Sequence, residues 1–187
     1  AGIVRKLKEI SPNRSTNRVL ALHLGNGASL CAIADGRSVA TTMGYSPLDG
    51  LTMGTRSGAI DGNAVLRLAQ EFGIERAGQI LNRESGLLAL GGSSDMRALQ
   101  EAGTPEAVFA RAHFAYWAQR HAGSMIAAMR GLDAIVFTGG IGENDAEMRG
   151  EIVKGLAWAG EVPVMVLPAE EERTIALEAG EVIARGL

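Results

Sequence analysis

Apolar positions follow two rhythms along the chain, and the change from one to the other orders the elements. Residues 1 to 17 start as a short amphipathic helix that breaks at Ser11, Pro12 and Asn13, so the main domain is expected to begin near Arg18. VLALHL, ASLCAIA and SVATTM are three strand-like stretches, the first pair separated by Gly25-Asn26-Gly27 and the second by Asp35-Gly36. This is the pattern of a three-stranded antiparallel meander with hairpin turns, Asn-Gly being a favoured type I′ pair. After a glycine-rich stretch the spacing turns helical over Asn63–Phe72 and Arg76–Leu81. A longer helix follows from an N-cap at Thr104 and Pro105, with Val108, Ala112, Ala115, Ala122, Ile126 and Met129 on one face up to Arg130. AIVFTGG reads as a buried strand entering a double-glycine turn. Asn144 with Glu147 resembles a capping pair for a helix over residues 145–159. PVMVLP reads as a further buried strand, and Glu170–Arg185 as a last helix with Ile175, Ala179, Val182 and Ile183 facing inward. Three antiparallel strands, helices, then strand, helix, strand, helix require a mixed sheet with helices packed on it, the element order of a ribonuclease-H-like α/β domain.

Composition narrows the partners. With 187 residues, 47% of them hydrophobic, the chain can bury one ordinary core. Its net charge is -3 and its 18 Lys and Arg are scattered, which gives no electrostatic footprint for nucleic acid or an anionic membrane. No apolar run is long enough to span a bilayer, and the single Cys31 cannot make an internal disulfide, so a reducing, cytoplasmic setting is expected. AGIVRKLKEI is not built like a secretory signal. The chain does not start with Met, which fits either a processed product or a piece of a longer protein. Glycine is abundant, 25 residues, and gathers in GNG (25–27), in residues 44–58, at 91–92 and in GGIG (139–142), each beside an apolar run: these are shaped loops, unlike a linker.

Neither G-x-x-x-x-G-K-[ST] nor a strand followed by G-x-G-x-x-G is present, which argues against a P-loop enzyme or a Rossmann dehydrogenase. GNG and GGIGEN can be plain turns, or backbone loops whose N–H groups face phosphate oxygens. Arg56, between glycines in GLTMGTRSG, can be a solvated loop residue or a guanidinium held out to an anion, suited to charge on a transferring phosphoryl group. Asp95, Met96 and Arg97 can be a capped helix start or part of a site, and Glu170, Glu171 and Glu172 suit a helix N-terminus. His23, His113 and His121 lack metal-ligand spacing, so no zinc site is expected.

Taken together, HLGNGASL, TMGYSPLDGLTMGTRSG and VFTGGIGEN closely resemble the acetate kinase (acetokinase) family of the actin and sugar-kinase ATPase superfamily, from about Leu7 to the C-terminus. The resemblance covers nearly all of this chain but only the C-terminal half of a family member, so residues 18–187 are expected to be the nucleotide-binding domain. It implies phosphoryl transfer from ATP to acetate, giving acetyl phosphate and ADP, with Mg²⁺. It implies that the turn of His23, Leu24, Gly25, Asn26 and Gly27 borders the nucleotide phosphates. It implies also that Asp95, Met96 and Arg97 lie against the nucleoside, and that Gly139, Gly140, Ile141, Gly142, Glu143 and Asn144 close the adenosine side. Arg56 matches the arginine that stabilises the transferring group, and Glu171 the acidic residue that helps hold Mg²⁺. Ala169 and Glu170 depart from the family's Thr-Asn-Glu-Glu pattern, and Ala59 and Gly62 replace the commoner Asp and Pro after the arginine loop. The family's N-terminal domain, with its own catalytic and substrate-binding residues, is not in this chain; the resemblance further implies a homodimer. Propionate or butyrate kinase is the same chemistry on a longer acid. A non-catalytic nucleotide-binding or dimerisation module is the rival from another class.

Overall fold

The computed structural model describes residues 2–10 and 17–169, with positions 176, 179, 180 and 183 beyond them. Glu171 and most of the expected last helix lie outside the described residues. Of that helix's expected inward positions, Ala179 and Ile183 are described, and both are exposed.

The meander forms as β1 (Arg18–Leu24), β2 (Ala28–Ala34) and β3 (Arg37–Thr41), paired antiparallel, with β4 (Ala134–Thr138) parallel to β1 and β5 (Val164–Val166) parallel to β4. The mixed sheet runs β3-β2-β1-β4-β5. Its period-two alternation separates two faces. Leu20, Leu22, Leu24, Leu30, Ile135 and Phe137 enter the larger core. Val19, Ala21, Ile33, Ala134 and Val136 enter a smaller one, covered by Leu7 of α1 (Gly2–Ile10) and by Leu167. β1 and β4 are locked at their starts, where Arg18 receives both backbone and side-chain contacts from one acid. Its amide donates to Asp133 Oδ2 at 2.9 Å and its guanidinium to Oδ1 at 2.5 Å. Those hydrogen bonds hold the Asp133 carboxyl below its ordinary range.

The helices α2 (Gly62–Phe72), α3 (Ile74–Arg83), α4 (Gly86–Gly91), α5 (Met96–Ala102) and α6 (Pro105–Met129) separate β3 from β4. α6 starts as expected, with Thr104 Oγ1 accepting from the Ala107 amide and Pro105 in the first turn. Its buried face differs from the expectation. Val108 and Ala112 are exposed, while Ala107, Ala110, Phe114, Ala118 and Met125 are buried beside Ala115, Ala122, Ile126 and Met129. The helix is apolar on several sides, so periodicity alone does not choose among them; packing selects the alanine side, which lets the helix come close to the core.

Four further expectations change. The GNG loop is not a type I′ turn, since Gly25, Asn26 and Gly27 all avoid left-handed φ; the I′ geometry is at Asp35 (φ 49°) and Gly36 (φ 76°). GGIGEN is not a turn but a short helix, α7 (Gly139–Asn144). The cap of α8 (Ala146–Gly155) is Asp145, whose Oδ1 accepts from the Met148 amide; Asn144 instead donates to Gly140 O, and a 3₁₀ turn over Ala157–Ala159 follows α8. β5 is an edge strand with Val164 and Val166 exposed rather than buried. α4, which a glycine pair at 91–92 disguises as loop, has its left-handed cap at Gly92.

The alanine face of α6 leaves no room for growth. Ala118→Leu is expected to destabilise the fold by about 1–3 kcal/mol through overpacking, seen as a lower urea midpoint with an unchanged slope.

Candidate functional site

β1 and β4 run parallel with His23 level with Thr138, so their carboxyl ends emerge side by side. In open α/β sheets this edge is where ligands bind. The GNG loop leaves β1 there and α7 leaves β4. A Cβ on Gly25 would stand 3.9 Å from the Gly140 amide nitrogen, so the two glycine segments abut. Gly139 makes the corner possible, with φ 82° and a hypothetical Cβ only 2.7 Å from Leu24 O, a position only glycine fills. Glu143 then braces it: Oε1 accepts from the Gly139 amide at 3.1 Å and from the Ala169 amide at 2.8 Å. Arg149 donates to the carbonyls of Gly142 and Glu143, satisfying the end of α7.

α5 supplies the opposite wall. Asp95 caps it, accepting from the Arg97 amide at 2.9 Å, so the structural account of Asp95 holds, and the same residue also faces the space toward α7. Between the walls lies a cavity of about 450 Å³ lined by Gly25, Asn26, Ser94, Asp95, Met96, Arg97, Gln100, Gly140, Ile141, Asn144 and Asp145. A Cβ on Gly140 would meet nothing within 4 Å. Seven of the expected binding residues therefore share one surface with Gly140. The others stand behind it. Leu24 is fully buried in the core, Gly139 touches the backbone of Leu24, and Gly142 packs against Phe137. Glu143 turns to Ala169, His23 sits beside Gly139, and Gly27 lies toward Arg56. Ser94, Gln100 and Asp145 line the cavity without having been singled out in the sequence. Gln100 stands one helical turn beyond Met96, and Ser94 and Asp145 are immediate neighbours of Asp95 and Asn144, so helical spacing and adjacency were the available signals.

The loop bearing Arg56 is fastened to the GNG turn and to the start of α4. The Gly54 amide donates to Asn26 O at 3.0 Å, and a Cβ on Gly54 would collide with Asn26 Oδ1, so the approach depends on glycine there. Ser85, Leu87 and Leu88 amides cap the carbonyls of Thr55, Met53 and Gly54. Arg56 itself is half-buried. Its Nη1 donates to Pro47 O at 3.4 Å and lies 3.7 Å from Met53 Sδ, and among the described residues it has no carboxylate partner. A Cβ on Gly27 would be 3.6 Å from that nitrogen. Arg56 also lines a second, open polar cavity of about 780 Å³ with Asn26, Thr55, Gln79, Asn82 and Arg83, so Asn26 borders both spaces. An arginine with uncommitted donors next to a glycine turn is equipped to bind an anion. Among the described residues no group of three or more His, Cys, Asp or Glu could hold a metal ion, and no helix is long and apolar enough to cross a membrane.

Two histidines of α6 hold the same loop from below: Thr52 Oγ1 is 2.9 Å from His113 Nε2, and His121 Nε2 is 3.1 Å from Gly50 O. Burial lowers both pKa values from the ordinary histidine value; at His121 the Gly50 hydrogen bond and Asp49 partly oppose this.

A mixed sheet in the order β3-β2-β1-β4-β5 with helices packed on it is the architecture of a ribonuclease-H-like α/β domain. More narrowly, the chain belongs to the acetokinase family, whose model matches residues 3–173. It is 50% identical over 161 residues to an acetate kinase of Methylocella silvestris, covering 84% of this chain and 40% of that protein. It is 41% identical over 197 residues to an acetate kinase of Nitrobacter hamburgensis, covering 93% and 49%. The crystal structure of Porphyromonas gingivalis acetate kinase superposes with a TM-score of 0.90 at 30% identity over 97% of this chain and 53% of that one. A propionate kinase from Francisella tularensis superposes at 0.84 with 34% identity over 91% and 50%. The chain spans about half the length, or less, of the curated relatives it matches.

Because their folded-state values are depressed, His113 and His121 contribute stability in full above about pH 6.5, and it is lost as pH falls through that value toward the folded ones. The melting temperature is expected to drop between pH 7.5 and 5.5, and to drop less in His113→Asn/His121→Asn; equal drops would place the acid sensitivity elsewhere.

Proposed function

We propose that this chain is the nucleotide-binding part of an acetate kinase, and that the complete enzyme transfers the γ-phosphoryl group of ATP to acetate, forming acetyl phosphate and ADP. The observation that carries this reading is the meeting of three features at one sheet edge. Two strand-end glycine segments line a cavity of about 450 Å³, and an arginine without a carboxylate partner among the described residues stands at the end where that cavity shares Asn26 with the open polar space. The nucleoside lies between α5 and α7, against Asp95, Met96, Arg97, Gly140, Ile141 and Asn144. The phosphates run toward Gly25, Asn26 and Gly27, where backbone amides orient them.

Phosphoryl transfer needs alignment and charge neutralisation more than covalent help from the protein. Arg56 contacts the equatorial oxygens as their charge redistributes; its planar fork can engage two oxygens at once. Bound Mg²⁺ would neutralise charge on the phosphates, and Glu171 is the residue of this chain that would help hold it, since magnesium sites commonly use one or two carboxylates with the phosphates themselves. The open polar space beside Arg56, with Thr55, Asn82 and Arg83 on its rim, is where the carboxylate and the rest of the enzyme meet the transferring group. Propionate is the alternative acceptor, supported by the superposition on a propionate kinase. A homodimer is part of the proposal, with Val108, Phe109 and Tyr116, exposed along one side of α6, as apolar surface available to it.

In the complete enzyme Arg56→Ala is expected to lower kcat on the order of 10³-fold with little change in nucleotide affinity, and Arg56→Lys to recover only part. A rise in KM alone would make Arg56 a ground-state binding group and overturn its assignment.

A further inference from the structure

Arg111 makes no contact with the cavity between α5 and α7, yet it joins the two elements that form its walls. From the second turn of α6 its Nη1 donates to Met96 O at 3.3 Å and to Asp145 Oδ2 at 2.9 Å, and its Nη2 donates to Glu147 Oε2 at 3.1 Å. Met96 opens the α5 wall; Asp145 ends α7 and caps α8. The Arg111 and Asp145 side chains are only 12% and 9% exposed, so the pair is shielded from solvent, while Glu147 is 70% exposed and is held also by Gln100 at 2.8 Å. Asp145 is committed on both oxygens, Oδ2 to Arg111 and Oδ1 to the Met148 amide, and its own amide donates to Ile141 O at 2.9 Å. The position of Asp145, and through it of Ile141 and Asn144, is therefore tied to α5 by one planar, multiply bonded cation.

We propose that Arg111 is a positioning residue for nucleoside recognition: it sets the separation of the α5 and α7 walls at the end of the cavity remote from Arg56. This rests on the nucleotide-site reading given above. The strut is selective. It reaches Met96 and Asp145 directly and Gln100 only through Glu147, whereas Gly25 and Asn26 at the near end are held by the strand pairing and by Gly54. Losing Arg111 consequently loosens what grips the base and ribose and leaves the phosphate end as it was. A buried guanidinium that serves stability alone has no reason to discriminate between ligands.

The test compares two ligands on one folded protein, adenosine diphosphate and inorganic tripolyphosphate, by calorimetric titration of the 187-residue chain. Removing one partner from a buried ion pair strands a charge, so the deletion is made both alone and with its partner carboxylate. Arg111→Met deletes the strut alone. Arg111→Met/Asp145→Ser also removes the stranded carboxylate while keeping a hydroxyl to cap α8. In both, ADP affinity is expected to fall about tenfold, the scale of one hydrogen bond to a charged group, with tripolyphosphate affinity unchanged. Arg111→Lys, a point charge that cannot span Met96, Asp145 and Glu147 together, is expected to lie between. Equal loss for both ligands, or unchanged ADP affinity in the double variant, overturns the positioning role while leaving the nucleotide site in place. Failure of the unmodified chain to bind ADP overturns the site reading, and with it this one.

Discussion

The parallel pairing of β1 with β4 is the constraint on which the site depends. Val19 stands opposite Ala134 and His23 opposite Thr138, so two strands more than a hundred residues apart in sequence end at the same height. A slip of one residue would turn every inward leucine of β1 outward and separate Gly25 from Gly140. Burial on both faces prevents the slip, since Leu20, Leu22, Leu24, Ile135 and Phe137 fill one core and Val19, Ala21, Ala134 and Val136 the other. Arg18 and Asp133 pin the opposite ends, where the Asp133 amide also returns a hydrogen bond to Arg18 O at 2.8 Å.

Given that frame, the ligand-facing parts are short segments with little freedom of their own. α7 is one and a half turns long and survives because Glu143, Asn144 and Arg149 satisfy its ends. The Arg56 loop is irregular backbone, but its polar groups are met by the start of α4, by Asn26 and by two histidines of α6. Arg111 adds the last tie, between α5 and α8. Every wall of the cavity is thus braced by a residue outside it, which is how preorganised binding limits the ordering cost of association.

Much of this was legible in the residues. Strand-like stretches bounded by glycine turns placed β1, β2 and β3, and the Thr104-Pro105 start placed α6, because those signals are local. What failed was what depends on neighbours. On α6 the expected face held at Ala115, Ala122, Ile126 and Met129 but not in the first turns, because alanines at 107, 110 and 118 give weak periodicity beside a bulky but exposed Val108. β5 has the composition of a buried strand but lies at a sheet edge. GGIGEN reads as a turn because its helix is stabilised by Arg149 and by Ala169, residues distant from its own start. The motif segments identified the region of the site, whereas the partition of its residues into cavity wall and supporting layer, and the role of Arg111, appeared only once α5, α6 and α8 were seen together.

The central claim is that adenine nucleotide occupies the space between α5 and α7 with its phosphates at the GNG turn. Hydrogen–deuterium exchange of this chain with and without ADP tests it most directly. Slowed exchange confined to peptides spanning 24–28, 94–100 and 139–146, with β3 and α2 unaffected, is the result expected. Protection that spares those three segments, or that centres on another surface while ADP is bound, would contradict it.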